Sequence, residues 1–479
     1  MNTSKWLRVF EPPDTKILIQ TAVETASWIE TFGHQNNDAE YWDPQPGTDV
    51  DDEELLLAKS CLYGGAAGIA LFYMRLYNAL KDNQYLDHAK AGINYVIQNY
   101  KGAGECVTNQ TWLPGAYIGY FHGPGGKAYA AKELWLITKE EKYRHFVYQV
   151  ANDLIAAVHL KNDTAYWYGD YAVLAEGGNI LFLLDMYKTF QEQRFLDLAV
   201  KAGRYIVNQH EEAPRGGWRW YAMPTDTFPT IQQSGGYFPG FEYGAAGCGY
   251  ICACLYEYTG DSIFLTAAKK AALYIQNIAD IAKDGLAALV KYNDTYLTDL
   301  YYLGVCQGPV GTSRLFFKLY QLTNENKYRD FVIMLANGLL LSGAPAIHSP
   351  GYWHTNCYCC GAPGMLEFLI HIHKMTGESR YLNAALKAAS VILGDSTQKN
   401  HLRYWYTTWN RHEPWKNDTY TGLYQGSAGC AGSLLALSEY LQGKSCQPAY
   451  LEDPYIALYN TSAKKALKEI QYGKNYKKY

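Results

Sequence analysis

The sequence predicts an all-α protein, an α/α toroid (barrel) of seven helix-pair repeats. Three observations carry this expectation. A Gly-x-x-Gly motif recurs along the chain, an aromatic residue follows it at a constant distance, and apolar residues recur at helical spacing between the two. The chain has 479 residues, 48% of them hydrophobic, and a formal net charge of -4, so it can bury a large core. Length alone would suggest about three domains of roughly 150 residues each, but a repeat that runs through the chain takes precedence.

The second glycines of six motifs are Gly68, Gly126, Gly178, Gly247, Gly311 and Gly364. Seventeen residues beyond each stands Tyr85, Tyr143, Phe195, Phe264, Tyr328 or Tyr381, and four further on a small apolar residue, Ala or Val. A seventh copy opens at Gly426 and Gly429, but its offset position is Cys446, the kind of departure expected of an end unit. After Gly68 and Gly311 the apolar residues recur at helical spacing over about three turns. Polar turns such as Thr259-Gly260-Asp261-Ser262 then end the first helix. Each unit thus reads as a helix pair, with the glycines where a longer loop enters its first helix. There glycine permits positive φ and close backbone approach. The third unit carries Ala175 in place of its first glycine. Residues 1–54 read as an N-terminal extension with the first outer helix, and residues 55–479 as the toroid, in one domain.

Near-neutral charge excludes nucleic acid as a main partner. The lysine-rich stretch from Ser462 to Tyr479 reads as a solvated last helix. No N-terminal stretch joins a charged start to an apolar run, and no window offers the ~18 apolar residues of a membrane span. Eleven cysteines, an odd number, point to thiols that are buried or on metal in a reducing compartment, hence to a cytoplasmic protein.

The fifth unit reads Cys306-Gln307-Gly308 and the sixth Cys357-Tyr358-Cys359-Cys360-Gly361. Cys306 and Cys359 occupy one repeat position, two before the first glycine, so they fall on neighbouring loops at one rim, with Cys360 adjacent. Three thiols converging there suit Zn²⁺, which takes thiolates tetrahedrally, and leave a fourth position open as in catalytic zinc sites. A single cysteine would be read as a small buried residue; three at equivalent positions favour metal. Cys357 stands one residue too far to share the geometry. Cys61, Cys248, Cys252, Cys254 and Cys430 read as core.

With these motifs the chain resembles the lanthionine synthetase C-like family, whose cyclase members close thioether rings in lanthipeptides. The resemblance spans roughly Leu55 to Gln442 and rests on the glycine units, Cys306-x-Gly308, and the residue pair before Gly361. Where the family usually has Cys-His-Gly, this chain has Cys359-Cys360-Gly361, which keeps a ligand. The resemblance implies a zinc-dependent peptide cyclase. Its substrate would be a precursor peptide bearing dehydroalanine or dehydrobutyrine, made by a partner dehydratase. A cysteine thiolate adds to the β-carbon, and an acid protonates the resulting enolate.

The family's acid–base groups are only partly present. Its histidine before the fourth-unit glycine is Tyr243 here, its arginine before the fifth-unit cysteine is Tyr302, and its aspartate before the third unit aligns with Asp170. Tyr243, Tyr302, Asp170 and His122 are therefore the catalytic candidates, with His354 a possible donor behind the metal. Two other readings stand beside the cyclase. One is a three-cysteine zinc glycosidase on an α/α barrel, although Gly304 stands where that class has a glutamate two residues before its first cysteine. The other is a zinc–thiol scaffold that binds a peptide without turnover.

Overall fold

A computed structural model of the chain describes residues 12–48, 58–103, 118–169, 173–222, 236–295, 299–409, 413 and 415–459. Seven inner helices of equal length alternate with outer ones. The inner set is α2 (Ala66–Leu80), α4 (Pro124–Thr138), α6 (Glu176–Phe190), α8 (Ala245–Thr259), α10 (Pro309–Thr323), α12 (Ala362–Thr376) and α14 (Ser427–Leu441). Each packs on its sequence neighbours, and α14 packs back on α2, so the ring is closed. The outer set is α3 (Asn83–Gln98), α5 (Glu141–Ala157), α7 (Gln193–Asn208), α9 (Ser262–Ile278), α11 (Asn326–Ser342) and α13 (Ser379–Gly394). All six conserved-spacing aromatics stand third in an outer helix and are buried. The seventh outer position is taken by α1 (Thr15–Glu30), which packs on α14.

Composition explains the two layers. Inner helices are apolar nearly all round, as in Ala66–Leu76, where every residue is buried; outer helices bury one stripe, such as Phe195, Leu198, Ala199, Ala202 and Ile206 of α7. Inner helices turn into outer ones through a single left-handed residue, for example Gly260 (φ +65°) and Gly377 (φ +76°).

Of the two roles expected of the motif glycines, positive φ and close backbone approach, the structure uses the second. The six glycines that precede inner helices are extended, with φ between -101° at Gly123 and -147° at Gly361. What they supply is close approach. A Cβ on Gly311 would lie 1.8 Å from the Val305 carbonyl oxygen, and one on Gly247 1.9 Å from that of Phe241. The loop therefore folds back on the first turn of its helix, and the amides of Ala66, Ala245, Ala362 and Ser427 each donate to the carbonyl seven residues earlier. In α4 and α10 a proline fills that position and needs no acceptor.

The far end of the ring is closed by residues 447–459. Arg75 donates to the Pro448 carbonyl (2.9 Å) and Tyr129 to that of Ala449 (2.7 Å). Tyr450 stacks on Tyr358, centroids 4.1 Å apart, under the Arg75 guanidinium. Glu452, fully buried, pairs with Arg314 at 3.4 Å and accepts from the Tyr424 hydroxyl at 3.0 Å. A 3-10 turn, Pro454–Tyr459, ends the segment. The tail from Ser462 lies outside the described residues, and no described helix is long and apolar enough to cross a membrane.

Candidate metal centre

At the opposite rim the loops are tied into a belt. In five of the seven units the residue five before the second glycine passes its backbone to the next: Tyr63 N–H to Phe121 C=O, Glu242 to Cys306, Cys306 to Cys359, Cys359 to Tyr424, and Tyr424 to Tyr63, all at 2.8–3.1 Å. Leu174 N–H reaches Glu242 C=O at 2.8 Å. The seven occupants of this position are Tyr63, Phe121, Val173, Glu242, Cys306, Cys359 and Tyr424. A parallel pairing of Tyr301–Tyr302 with Tyr352–Trp353 adds a second tie between the fifth and sixth loops.

This belt brings the expected thiols together. Cys306 Sγ lies 3.2 Å from Cys360 Sγ, Cys360 Sγ lies 3.5 Å from Cys359 Sγ, and all three sulfurs fall within 4.8 Å of one another. All three are buried, Cys360 the least at 8% exposure. The trio fits a zinc ion. Tetrahedral thiolates at ~2.3 Å from zinc stand about 3.8 Å apart, a few tenths of an ångström beyond the spacings of the protonated cluster. The trio also sits at the N-termini of α10 and α12, where the helix dipoles favour negative charge. Hydrogen bonds from Cys359 and Cys360 lower the Cys306 thiol to about 7, while burial and the bond to Cys306 push Cys359 up.

Cys357 serves the loop itself: its sulfur accepts the Cys360 amide at 3.3 Å. Cys61, Cys248, Cys252, Cys254 and Cys430 are buried free thiols.

Around the trio, Tyr243 follows Glu242 in the fourth loop. Its hydroxyl shares a 2.9 Å hydrogen bond with Tyr292, and Tyr292 stacks on Tyr302 with centroids 4.1 Å apart. Burial, then Tyr292, Tyr302 and Cys306, hold the Tyr243 phenol well above its ordinary value. His122 packs on the Tyr63 ring, centroids 4.7 Å apart, and burial lowers it to about 4. Asp170 lies outside the described residues. His354 stacks on His348 at 3.9 Å and lines a separate cavity of about 410 Å³ with Asp395 and Tyr406.

Two neighbours escaped the sequence reading. Glu242 Oε1 accepts from Cys359 Sγ at 3.0 Å, and Tyr63 offers its hydroxyl to Cys359. Both occupy the repeat position of Cys306 and Cys359, so the rule that found the cysteines, applied to every unit, would have found them.

A closed ring of seven helix pairs with three thiols converging at one rim defines an α/α toroid with a candidate thiolate metal centre. The lanthionine synthetase C-like protein family matches residues 58–447, and the chain belongs to that family. Among solved structures, nisin cyclase superposes with a TM-score of 0.61 at 16% identity, covering 83% of this chain and 92% of its own. A family 76 glycoside hydrolase (mannosidase) from Bacteroides thetaiotaomicron gives 0.39 at 15% identity, covering 70% and 89%. An unsaturated glucuronyl hydrolase specific for heparin gives 0.42 at 12% identity, covering 88% and 94%. At 16% identity the likeness to nisin cyclase is one of fold. No curated protein matches the chain.

Proposed function

We propose that the protein is a zinc-dependent peptide cyclase that forms thioether rings in a precursor peptide dehydrated by a partner enzyme. One observation carries the reading: the three sulfurs converge at the fifth- and sixth-unit positions where the family resemblance expects its ligands. Cys306, Cys359 and Cys360 would hold the zinc, which when bound supplies the Lewis acidity that favours thiolate over thiol at neutral pH. The peptide sulfur forms its bond to the β-carbon of a dehydro residue, and the enolate takes a proton at Cα.

Tyr243, next to Glu242 in the fourth loop, is our candidate proton donor. Its phenol keeps its proton at neutral pH, burial making it a weaker acid than a free tyrosine, and Tyr292 fixes its hydroxyl. Phe238 and Tyr302 bound the same aromatic wall. His122, neutral above about pH 4, is poorly suited as an acid.

The addition is an isomerisation, so peptide mass stays constant while one alkylatable thiol disappears per ring. Alkylation followed by mass spectrometry on dehydrated cysteine peptides tests this. If every thiol stays alkylatable on several such peptides, the reading passes to a binding scaffold. The glycosidase reading gains support from one observation: Glu242 brings a carboxylate to Cys359 from another loop. Release of free sugar from aryl glycosides would favour it instead.

A further inference from the structure

We propose that Glu242 is a fourth protein donor to the metal centre, so that in the resting protein a carboxylate occupies the position a substrate sulfur later takes. This rests on the zinc reading above. Glu242 holds the repeat position of Cys306 and Cys359, the two thiols that the belt aims at the centre. Its amide is anchored on the Cys306 carbonyl at 2.8 Å, its own carbonyl on Leu174 N–H at 2.8 Å, and its Oε1 touches Cys359 Sγ at 3.0 Å; the oxygen stands outside the 4.8 Å set of the three sulfurs, so the side chain turns inward to reach the ion.

The charge pattern of the interior points the same way. Three acids buried deeper in the ring each face a basic side chain, Glu367 at 3.8 Å from Arg75, Glu452 at 3.4 Å from Arg314 and Asp453 at 3.2 Å from His371, and Glu176 is met by the backbone amides of Trp167, Tyr168 and Gly169. Glu242, only 4% exposed, forms no such pair within 4.0 Å among the described residues, and its hydrogen-bond partner is a thiol. A buried carboxylate without a cation is costly. A divalent ion among the three sulfurs would supply the missing countercharge. An oxygen donor is harder than sulfur, so on zinc it yields to an incoming thiolate. The resting site is thereby closed to water yet open to the substrate's own chemistry.

The test uses the full chain loaded with Co²⁺ or Zn²⁺. Glu242→Cys should add a fourth thiolate, raising the sulfur-to-cobalt charge-transfer absorbance per bound ion by about one third, the ratio of four thiolates to three. Glu242→Gln, nearly isosteric, should lower zinc affinity in chelator competition by about tenfold or more. It should also strengthen binding of 2-mercaptoethanol to the cobalt form. A Glu242→Cys spectrum identical to the parent's, with Glu242→Gln zinc affinity within about twofold, overturns the assignment while leaving the three-cysteine site intact. A parent chain that takes up no metal overturns both.

Discussion

The two ends of the toroid are closed by different means. At the rim, one repeat position is read out seven times, and chemistry enters by substitution: tyrosine, phenylalanine or valine in some units, cysteine or glutamate in others. At the far end one non-repeating segment, 447–459, fills the ring with Tyr450, Glu452 and Tyr455, which meet Tyr358, Tyr424 and Ser313 of the repeat units. The belt tolerates new side chains because its own bonds are backbone to backbone. The plug does not, because its charges are paired side chain to side chain in a dry interior. A toroid of this kind can vary its site without losing its ring, but not its floor.

The largest effect expected at the rim is chemical. Cys360→Ala should abolish both zinc binding and thiol loss rather than slow them, since it removes one of three ligands. Its stability without metal should stay close to the parent's, which elemental analysis and urea unfolding of the metal-free proteins would check. At the floor the pattern should reverse. Arg314→Ala strips the countercharge from buried Glu452 and should cost about 3–5 kcal/mol of stability, while zinc per folded chain stays unchanged. A destabilised rim variant or a zinc-free floor variant would break the comparison.

Smaller effects sharpen it. Tyr243→Phe should slow cyclisation by about two orders of magnitude, read in single-turnover kinetics with metal content unchanged. Parent-like turnover would move the proton donor elsewhere. His122 gives a pH signature. Burial lowers it to about 4 from its ordinary 6.5, so the unfolded chain binds the extra proton first. The stability held above pH 6.5 is therefore lost as pH falls from 6.5 toward 4, and by pH 5 it amounts to about 2 kcal/mol. His122→Phe should lose about that much less than the parent between pH 8 and pH 5 in denaturant titrations. Equal losses would show that His122 is not buried as described.

The fold was legible in the sequence because its ruler is local. Helix length, the polar turn and the glycine that must let a carbonyl pass are all set within some twenty residues, and their repetition leaves a ring as the closure. The cysteines were legible for the same reason, since equivalent positions in adjacent units must be neighbours. Of the two roles expected of the glycines, close approach holds and positive φ does not, because both favour the same residue and backbone angles alone separate them. Glu242 and Tyr63 went unseen because neither residue type announces metal chemistry by itself.

By itself, then, the sequence determined the repeat, the number of helix pairs and the three thiols on adjoining loops, all matters of spacing along the chain. Tertiary structure alone decided what lies across the ring. It set Glu242 from the fourth unit against Cys359 of the sixth, joined Tyr243 to Tyr292 and Tyr302, packed α1 onto α14, and drew residues 447–459 into the floor. Those contacts join residues tens to hundreds of positions apart, where no periodicity reaches. They form because closing a ring of apolar helices leaves an axis that must be filled, and every buried charge there must meet a partner.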